Sequence, residues 1–320
     1  MKMRLVINWA ASCGGCDVSL LDCREVVMSL AEHDVLYWPV ALDFKQKDLK
    51  ALEDKSMDFG IVNGAIRTSE QEEELKIVRE KCKVLVAYGS CACFGGIPGL
   101  ANQFDRESIL RRAYVEAQSN LEGQEVIPKP ETEIDGFQLT LPEFFDSVKP
   151  LDRVVKVDYY VPGCPPSSST IEEFARSLSN PPERRFFASD KSLCHDCPRN
   201  QTKGAKKIAK INRPHELKAD EECLLEQGEL CMGFATRGGC GGRCISVNMP
   251  CRGCYGKLPA MVDVGDAIST IASITGNGED YIPAPKIFDA LNAVKDPVGL
   301  FYQFSLPSSL INSFSADRSK

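Results

Sequence analysis

Fifteen cysteines in 320 residues carry most of the chemistry this chain can do. Thiolates hold soft and redox-active metals, exchange disulfides or act as nucleophiles, and spacing separates these roles. Cys13 and Cys16 form a Cys-x-x-Cys pair in NWAASCGGCDVSLLD (8–22). Alone, that pair suits a redox dithiol at a strand-to-helix turn as well as half of a metal site. Cys91 stands in YGSCACFGG and Cys164 in VPGCPP, and farther on the density rises. The run Cys194-x2-Cys197-x25-Cys223-x7-Cys231 is followed by Cys240-x3-Cys244-x6-Cys251-x2-Cys254, eight thiols that divide into two groups of four.

The elements that must position these thiols are legible as periodic runs. Strand-like apolar segments occur at 3–9, 34–40, 57–66, 83–90 and 153–163, and helix-like ones at 17–32, 68–82, 107–118 and 169–179. Strands alternating with helices predict an α/β fold, a parallel sheet covered on both faces, in a flavodoxin-like order. Residues 119–150 are too long for a routine connection and read as a functional insertion or an interface loop. The prolines of NPPERRFF (180–187) mark a boundary. The expected domains are 1–185, flavodoxin-like, and 186–320, loop-rich and cysteine-dense, with a mobile tail after about 308.

Ligands of an open parallel sheet collect outside the carboxyl ends of its strands. Cys13 and Cys16 follow the first predicted strand, Cys91 the fourth and Cys164 the fifth, so all four meet at one edge. Four thiolates from three loops suit a 4Fe-4S cluster, whereas a dithiol leaves Cys91 and Cys164 without a role. The eight later cysteines also fit tetrahedral zinc. A redox site beside them favours iron-sulfur, since zinc transfers no electrons. Cys23 and Cys82 sit in or at the end of helices and read as buried thiols; Cys93, two residues from Cys91, is a competing ligand at that position.

Composition narrows the function. At 43% hydrophobic and 26% charged the chain has the make-up of a soluble protein large enough for two domains. A net charge of -7 argues against general nucleic-acid binding, and no run approaches the roughly 18 apolar residues of a membrane span. The basic stretch 199–213 and the acidic stretch 215–229 read as solvated faces. MKMRLVINWA leads into Cys13 without an apolar leader or twin-arginine motif, which predicts a cytoplasmic chain, where disulfides would not persist.

The combination CGGCDVSLLD, YGSCACFGGIPG, VPGCPP, CHDC and CYG resembles the small, electron-transferring subunit of nickel-iron hydrogenases over nearly the whole chain. Within that family it is most similar to the methanogen cytoplasmic group that reduces methyl viologen and not the deazaflavin coenzyme; the deazaflavin-reducing group is the nearest competitor. The resemblance implies three 4Fe-4S clusters: proximal on Cys13, Cys16, Cys91 and Cys164, medial on Cys240, Cys244, Cys251 and Cys254, distal on Cys194, Cys197, Cys223 and Cys231. Many members begin the distal motif with histidine, so His195 is a weak substitute for Cys194; many have three medial cysteines, so Cys244 is the extra ligand. Where many members carry Glu before the first cluster cysteine, this chain has Ser12.

By the same resemblance this chain has no catalytic residue. Dihydrogen would be split at a nickel-iron centre in a separate large subunit, facing Cys13 and Cys16. Electrons would leave through a small iron-sulfur delta-type subunit toward a heterodisulfide reductase. Two other readings compete: the related subunit of respiratory complex I, which usually has adjacent cysteines in its first motif and lacks the eight-cysteine extension, and a zinc-stabilised interaction protein.

Overall fold

The computed structural model describes residues 2–121, 126–200, 208, 210–216, 221–275 and 292–312. Its strands are β1 (Arg4–Trp9), β2 (Asp34–Tyr37), β3 (Met57–Asn63), β4 (Ile66–Thr68), β5 (Cys82–Tyr88), β6 (Glu131–Ile134), β7 (Phe137–Thr140), β8 (Phe144–Lys149) and β9 (Tyr159–Val161). Five of them form one parallel sheet in the order β2-β1-β3-β5-β9, the flavodoxin-like order. The central strands β3 and β5 read MDFGIVN and CKVLVAY, the near-continuous apolar runs that burial on both faces requires.

Successive side chains of these strands go to opposite layers. Leu5, Ile7, Phe59, Ile61, Val86 and Tyr88 pack on one side with Leu20, Val26 and Phe174. Val6, Val62, Leu85 and Ala87 pack on the other with Leu49, Leu75, Val78 and Leu151. The covering helices are α1 (Gly15–Asp22), α2 (Arg24–Ala31), α3 (Gln46–Lys50), α4 (Ser69–Lys81), α5 (Gly89–Phe94), α6 (Arg106–Tyr114) and α7 (Ser168–Ser177). The charged helix α4 starts on a capping box, with the Thr68 hydroxyl accepting from Gln71 N and the Gln71 side chain accepting from Thr68 N.

Several elements depart from the sequence expectation, among them the strand expected over 34–40, which ends at Tyr37, and the helix expected over 107–118, which ends at Tyr114. The helix expected over 17–32 is broken at Cys23, which is extended (φ -90°, ψ 102°). Leu20 before the break and Val26 after it are both buried. The strand expected over 57–66 ends at Asn63, and the chain then forms β4, which pairs antiparallel with β8. Both β8 and the hairpin β6–β7 lie within 119–150. The strand expected over 153–163 pairs with β5 through Tyr159, Tyr160 and Val161 alone. Before it, the Asp158 carboxylate accepts from Leu85 N at 2.8 Å and pairs with Arg79 at 2.6 Å.

Among the described residues from 190 onward, turns predominate, with α8 (Arg243–Ser246), α9 (Asp266–Ile274) and a short helix at Pro297–Phe301. This part has its own core of Leu193, Leu224, Leu230, Met232, Ile271 and Phe301 with their neighbours. Tyr255 fixes this part to the sheet: its hydroxyl accepts from Ser167 N at 3.1 Å and lies 2.9 Å from Thr170 Oγ1. No helix among the described residues is long and apolar enough to cross a membrane. Much of the basic stretch 199–213, part of the acidic stretch 215–229, and the tail from 313 lie outside the described residues.

Candidate metal centres

The carboxyl ends of β1, β5 and β9 carry the first four predicted ligands. Cys13 and Cys16 follow β1, with Cys16 in the first turn of α1; Cys91 lies in α5, directly after β5; Cys164 follows β9. Backbone bonds clamp these loops. Ala10 N donates to Asn63 O at 2.8 Å, Ala11 N to Ala65 O at 2.9 Å, and Ser90 N to Gly163 O at 2.7 Å.

The four thiols feel one another electrically. Burial raises the Cys16 thiol far above its ordinary value, and Cys91, Cys164, Asp17 and Cys13 raise it further. Cys91 is pushed up to about 12 by burial, with Cys164 and Cys13 adding. Ionising several such thiols together requires a compensating cation, which a metal cluster supplies. Room for one is kept by glycine: at Gly89 (φ +85°) a Cβ would overlap the Cys16 sulfur, and at Gly96 (φ +57°) the Cys91 sulfur.

The eight later cysteines influence one another within and between the two groups their spacing suggests. Burial raises the Cys231 thiol, and Cys223 and Cys197 add to it; the Cys194 and Cys231 sulfurs lie 3.4 and 3.7 Å from where a Gly233 Cβ would stand. Cys254 is pushed up to about 12 by burial, with Cys240, Cys164 and Cys244 adding. The Cys251 N–H donates to the Cys231 sulfur at 3.3 Å. Cys254 thus lies near Cys164 of the sheet edge, and Cys251 beside Cys231.

Spacing separates one ion from a cluster. Four sulfurs bound to a single zinc at about 2.3 Å lie roughly 3.8 Å apart. Among the described residues, the one group of three ligating side chains within 4.8 Å of one another is Cys23, Glu25 and Glu172, outside all three quartets. That trio is an ion-paired helix junction: Glu25 is exposed, and Glu172 pairs with Arg176 at 3.6 Å. No three of the twelve cysteine sulfurs lie within 4.8 Å of one another, and an all-thiolate donor set fits iron-sulfur as well as zinc. Of the remaining candidates, His195 is exposed. Cys93 is buried and donates to Ala87 O at 3.3 Å. Cys23 and Cys82 are buried, Cys82 against Gly60, where a Cβ would come within 2.7 Å of its sulfur.

Sequence reasoning missed the polar scaffold under the first loop. Ser12 Oγ accepts from Trp9 Nε1 at 2.7 Å and donates to Asn63 Oδ1 at 3.1 Å. Asn63 Nδ2 donates to Asp17 Oδ2 at 2.9 Å, and Trp38 Nε1 to Asp17 Oδ1 at 2.9 Å. The only sequence signal was a polar residue at the end of an apolar strand. Asp17 is 1% exposed, so Asp17→Ala strands two buried donors at about 1–3 kcal/mol each and lowers Tm by roughly 5–10 °C in a thermal melt. An unchanged Tm would contradict the scaffold.

Comparison with known proteins follows from this geometry. The family described as NADH ubiquinone oxidoreductase, 20 kDa subunit, matches residues 13–178. The chain is 38% identical to the iron-sulfur subunit of the F420-non-reducing hydrogenase of Archaeoglobus profundus, covering 98% of both chains. It is 35% identical to the corresponding subunit of the F420-non-reducing hydrogenase of Methanothermobacter marburgensis, covering 97% of this chain and 96% of that one. Among solved structures, a chain of the Ni-Fe-Se hydrogenase of Desulfomicrobium baculatum superposes with a TM-score of 0.51 at 18% identity, over 87% of this chain and 100% of that one, a likeness of fold.

Proposed function

The chain belongs to the family of F420-non-reducing hydrogenase iron-sulfur subunits, the small subunits of nickel-iron hydrogenases, within the wider family of the 20 kDa oxidoreductase subunit, and from that premise we propose that it is an electron conduit with three 4Fe-4S clusters. The proximal cluster is held by Cys13, Cys16, Cys91 and Cys164, the medial by Cys240, Cys244, Cys251 and Cys254, and the distal by Cys194, Cys197, Cys223 and Cys231. The observation that supports this reading is the approach of Cys254 to Cys164 and of Cys251 to Cys231, which would link the three proposed groups in one line. Bound there, the clusters supply one-electron transfer away from dihydrogen oxidised at the nickel-iron centre of a large subunit.

The chain's own residues supply holding, shielding and docking. Thiolates from three loops hold the proximal cluster, and Gly89 and Gly96 leave it space. Leu20, Tyr88 and Phe174 keep water from behind the sheet edge. Toward solvent, that end of the molecule exposes Cys13 and Cys164 together with Trp9 at the end of β1 and Val18 and Leu21 on α1. Such a patch suits the large apolar interface of an obligate partner, the large subunit. A delta-type iron-sulfur subunit at the distal end, a heterodisulfide reductase beyond it and a cytoplasmic location complete the proposal. So does the division into domains 1–185 and 186–320, supported by the separate core of the second part.

Both relatives are F420-non-reducing, which favours this assignment over a deazaflavin-reducing hydrogenase. Anaerobic purification through a tag on this chain is expected to recover a nickel-bearing subunit and hydrogen-dependent reduction of a viologen dye. Recovery of neither would overturn the proposal.

A further inference from the structure

A sizeable cavity lies away from the proximal sheet edge. It encloses about 600 Å³ where the sheet meets the second part of the chain, within the range of small-molecule sites. Its floor is aromatic and already closed: Phe186 is stacked on Tyr160 with centroids 4.5 Å apart, and the Arg237 guanidinium lies 4.6 Å from the centre of the same Phe186 ring. The lining carries four cations, Arg153, Arg185, Arg237 and Lys257, against two carboxylates, Asp152 and Asp263.

Both acids are engaged. Asp152 accepts from the Tyr160 hydroxyl at 3.0 Å. Asp263 accepts from the Tyr302 hydroxyl, Gly265 N and Leu310 N, at 2.6, 2.8 and 2.9 Å. A third carboxylate, Asp190, pairs with Arg237.

Of the remaining cations, Arg153 and Arg185 have no such counter-ion among the described residues, and Lys257 lies within electrostatic reach of Asp263, which also accepts three hydrogen bonds. Arg185 donates to the carbonyls of Val157 and Asp158 and lies over Tyr160, but has no carboxylate partner among the described residues. Lys257 donates to Met261 O. The Arg153 side chain makes no hydrogen bond or ion pair among the described residues. In a chain of net charge -7, a concave site with an excess of cations, two of them forked guanidiniums without an acid, has the chemistry of an oxyanion receptor.

We propose that this cavity binds a small polyanion, a metabolite-sized phosphate ester or polycarboxylate, on Arg153, Arg185 and Lys257, a function distinct from electron transfer. Arg153 and Arg185 present the planar donors that match phosphate or carboxylate oxygens, and Lys257 adds a point charge.

Isothermal titration of the anaerobically purified native complex, at constant ionic strength, tests it with pyrophosphate and with citrate as separate probes. Saturable binding at one site per chain is expected. Binding of pyrophosphate alone identifies a phosphorylated ligand, and of citrate alone a polycarboxylate. The double variant Arg153→Ala/Arg185→Ala is expected to weaken binding by at least about tenfold. Arg153→Ala, which breaks no side-chain bond among the described residues, weakens it several-fold, and Lys156→Ala, outside the lining, leaves it unchanged. Saturation by neither probe, or equal affinity in the double variant, would overturn the site.

Discussion

Cys16→Ser is expected to remove one cluster and leave the other two in place. Cys16 is 7% exposed and lies among the sulfurs of Cys91, Cys164 and Cys13. A serine oxygen is a harder and weaker ligand for such a metal, and its hydroxyl resists ionisation in that buried position. Losing a partner that merely orients a ligand costs 10–100-fold, so losing the ligand itself is expected to cut hydrogen-dependent dye reduction by more than about 100-fold. Low-temperature electron paramagnetic resonance of the reduced variant should still show the clusters of the second part. Cys23→Ala is the control: Cys23 is also buried, in the helix break outside every quartet, and its loss should leave iron content unchanged. Full turnover in Cys16→Ser would remove Cys16 from the proximal site.

The second large effect comes from a residue that holds no metal. Gly89 begins α5 at φ +85°, and a Cβ there would overlap the Cys16 sulfur. Left-handed backbone costs an L residue about 1–2 kcal/mol, and the overlap adds to it, because Cys16 is packed in the core and has nowhere to move. Gly89→Ala is therefore expected to lose about four irons per chain, the complement of one cluster, with every cysteine intact. Gly14 separates strain from collision. It has φ +80° but nothing within 4 Å of an added Cβ, so Gly14→Ala should cost roughly 1 kcal/mol of stability and keep its iron. Equal iron loss in both variants would mean that backbone strain, not the approach to Cys16, is what the glycine relieves.

These two variants also mark how much of the site the sequence carried. The meeting of Cys13, Cys16, Cys91 and Cys164 followed from strand order alone, because parallel strands place their carboxyl ends on one side and the apolar runs of β1, β3 and β5 are unambiguous. Glycines beside cysteines were visible as well, though which sulfur each one clears was not. The scaffold of Ser12, Asn63 and Asp17 was illegible, since hydrogen bonds between residues 46 and 51 positions apart leave no periodic trace. The pairing of β4 with β8 was missed for the same reason. Among the described residues of the second part, turns outnumber helices and no period reports which segments touch. Spacing divided the eight cysteines into fours, but the contacts of Cys254 with Cys164 and of Cys251 with Cys231 are tertiary facts.

The break at Cys23 shows how a local rule yields to packing. Residues 17–32 have the composition of one helix, yet the chain turns at Cys23 while Leu20 and Val26 on either side enter the same core. The extended residue between α1 and α2 makes that turn without a glycine or proline to announce it.

Metal content is the most direct test of the central claim. The anaerobically purified chain, measured for iron and zinc together, is expected to be brown and to hold about twelve irons with no stoichiometric zinc, as three four-iron clusters on twelve thiolates require. A colourless chain with zinc in place of iron at the Cys-x-x-Cys pairs would contradict it.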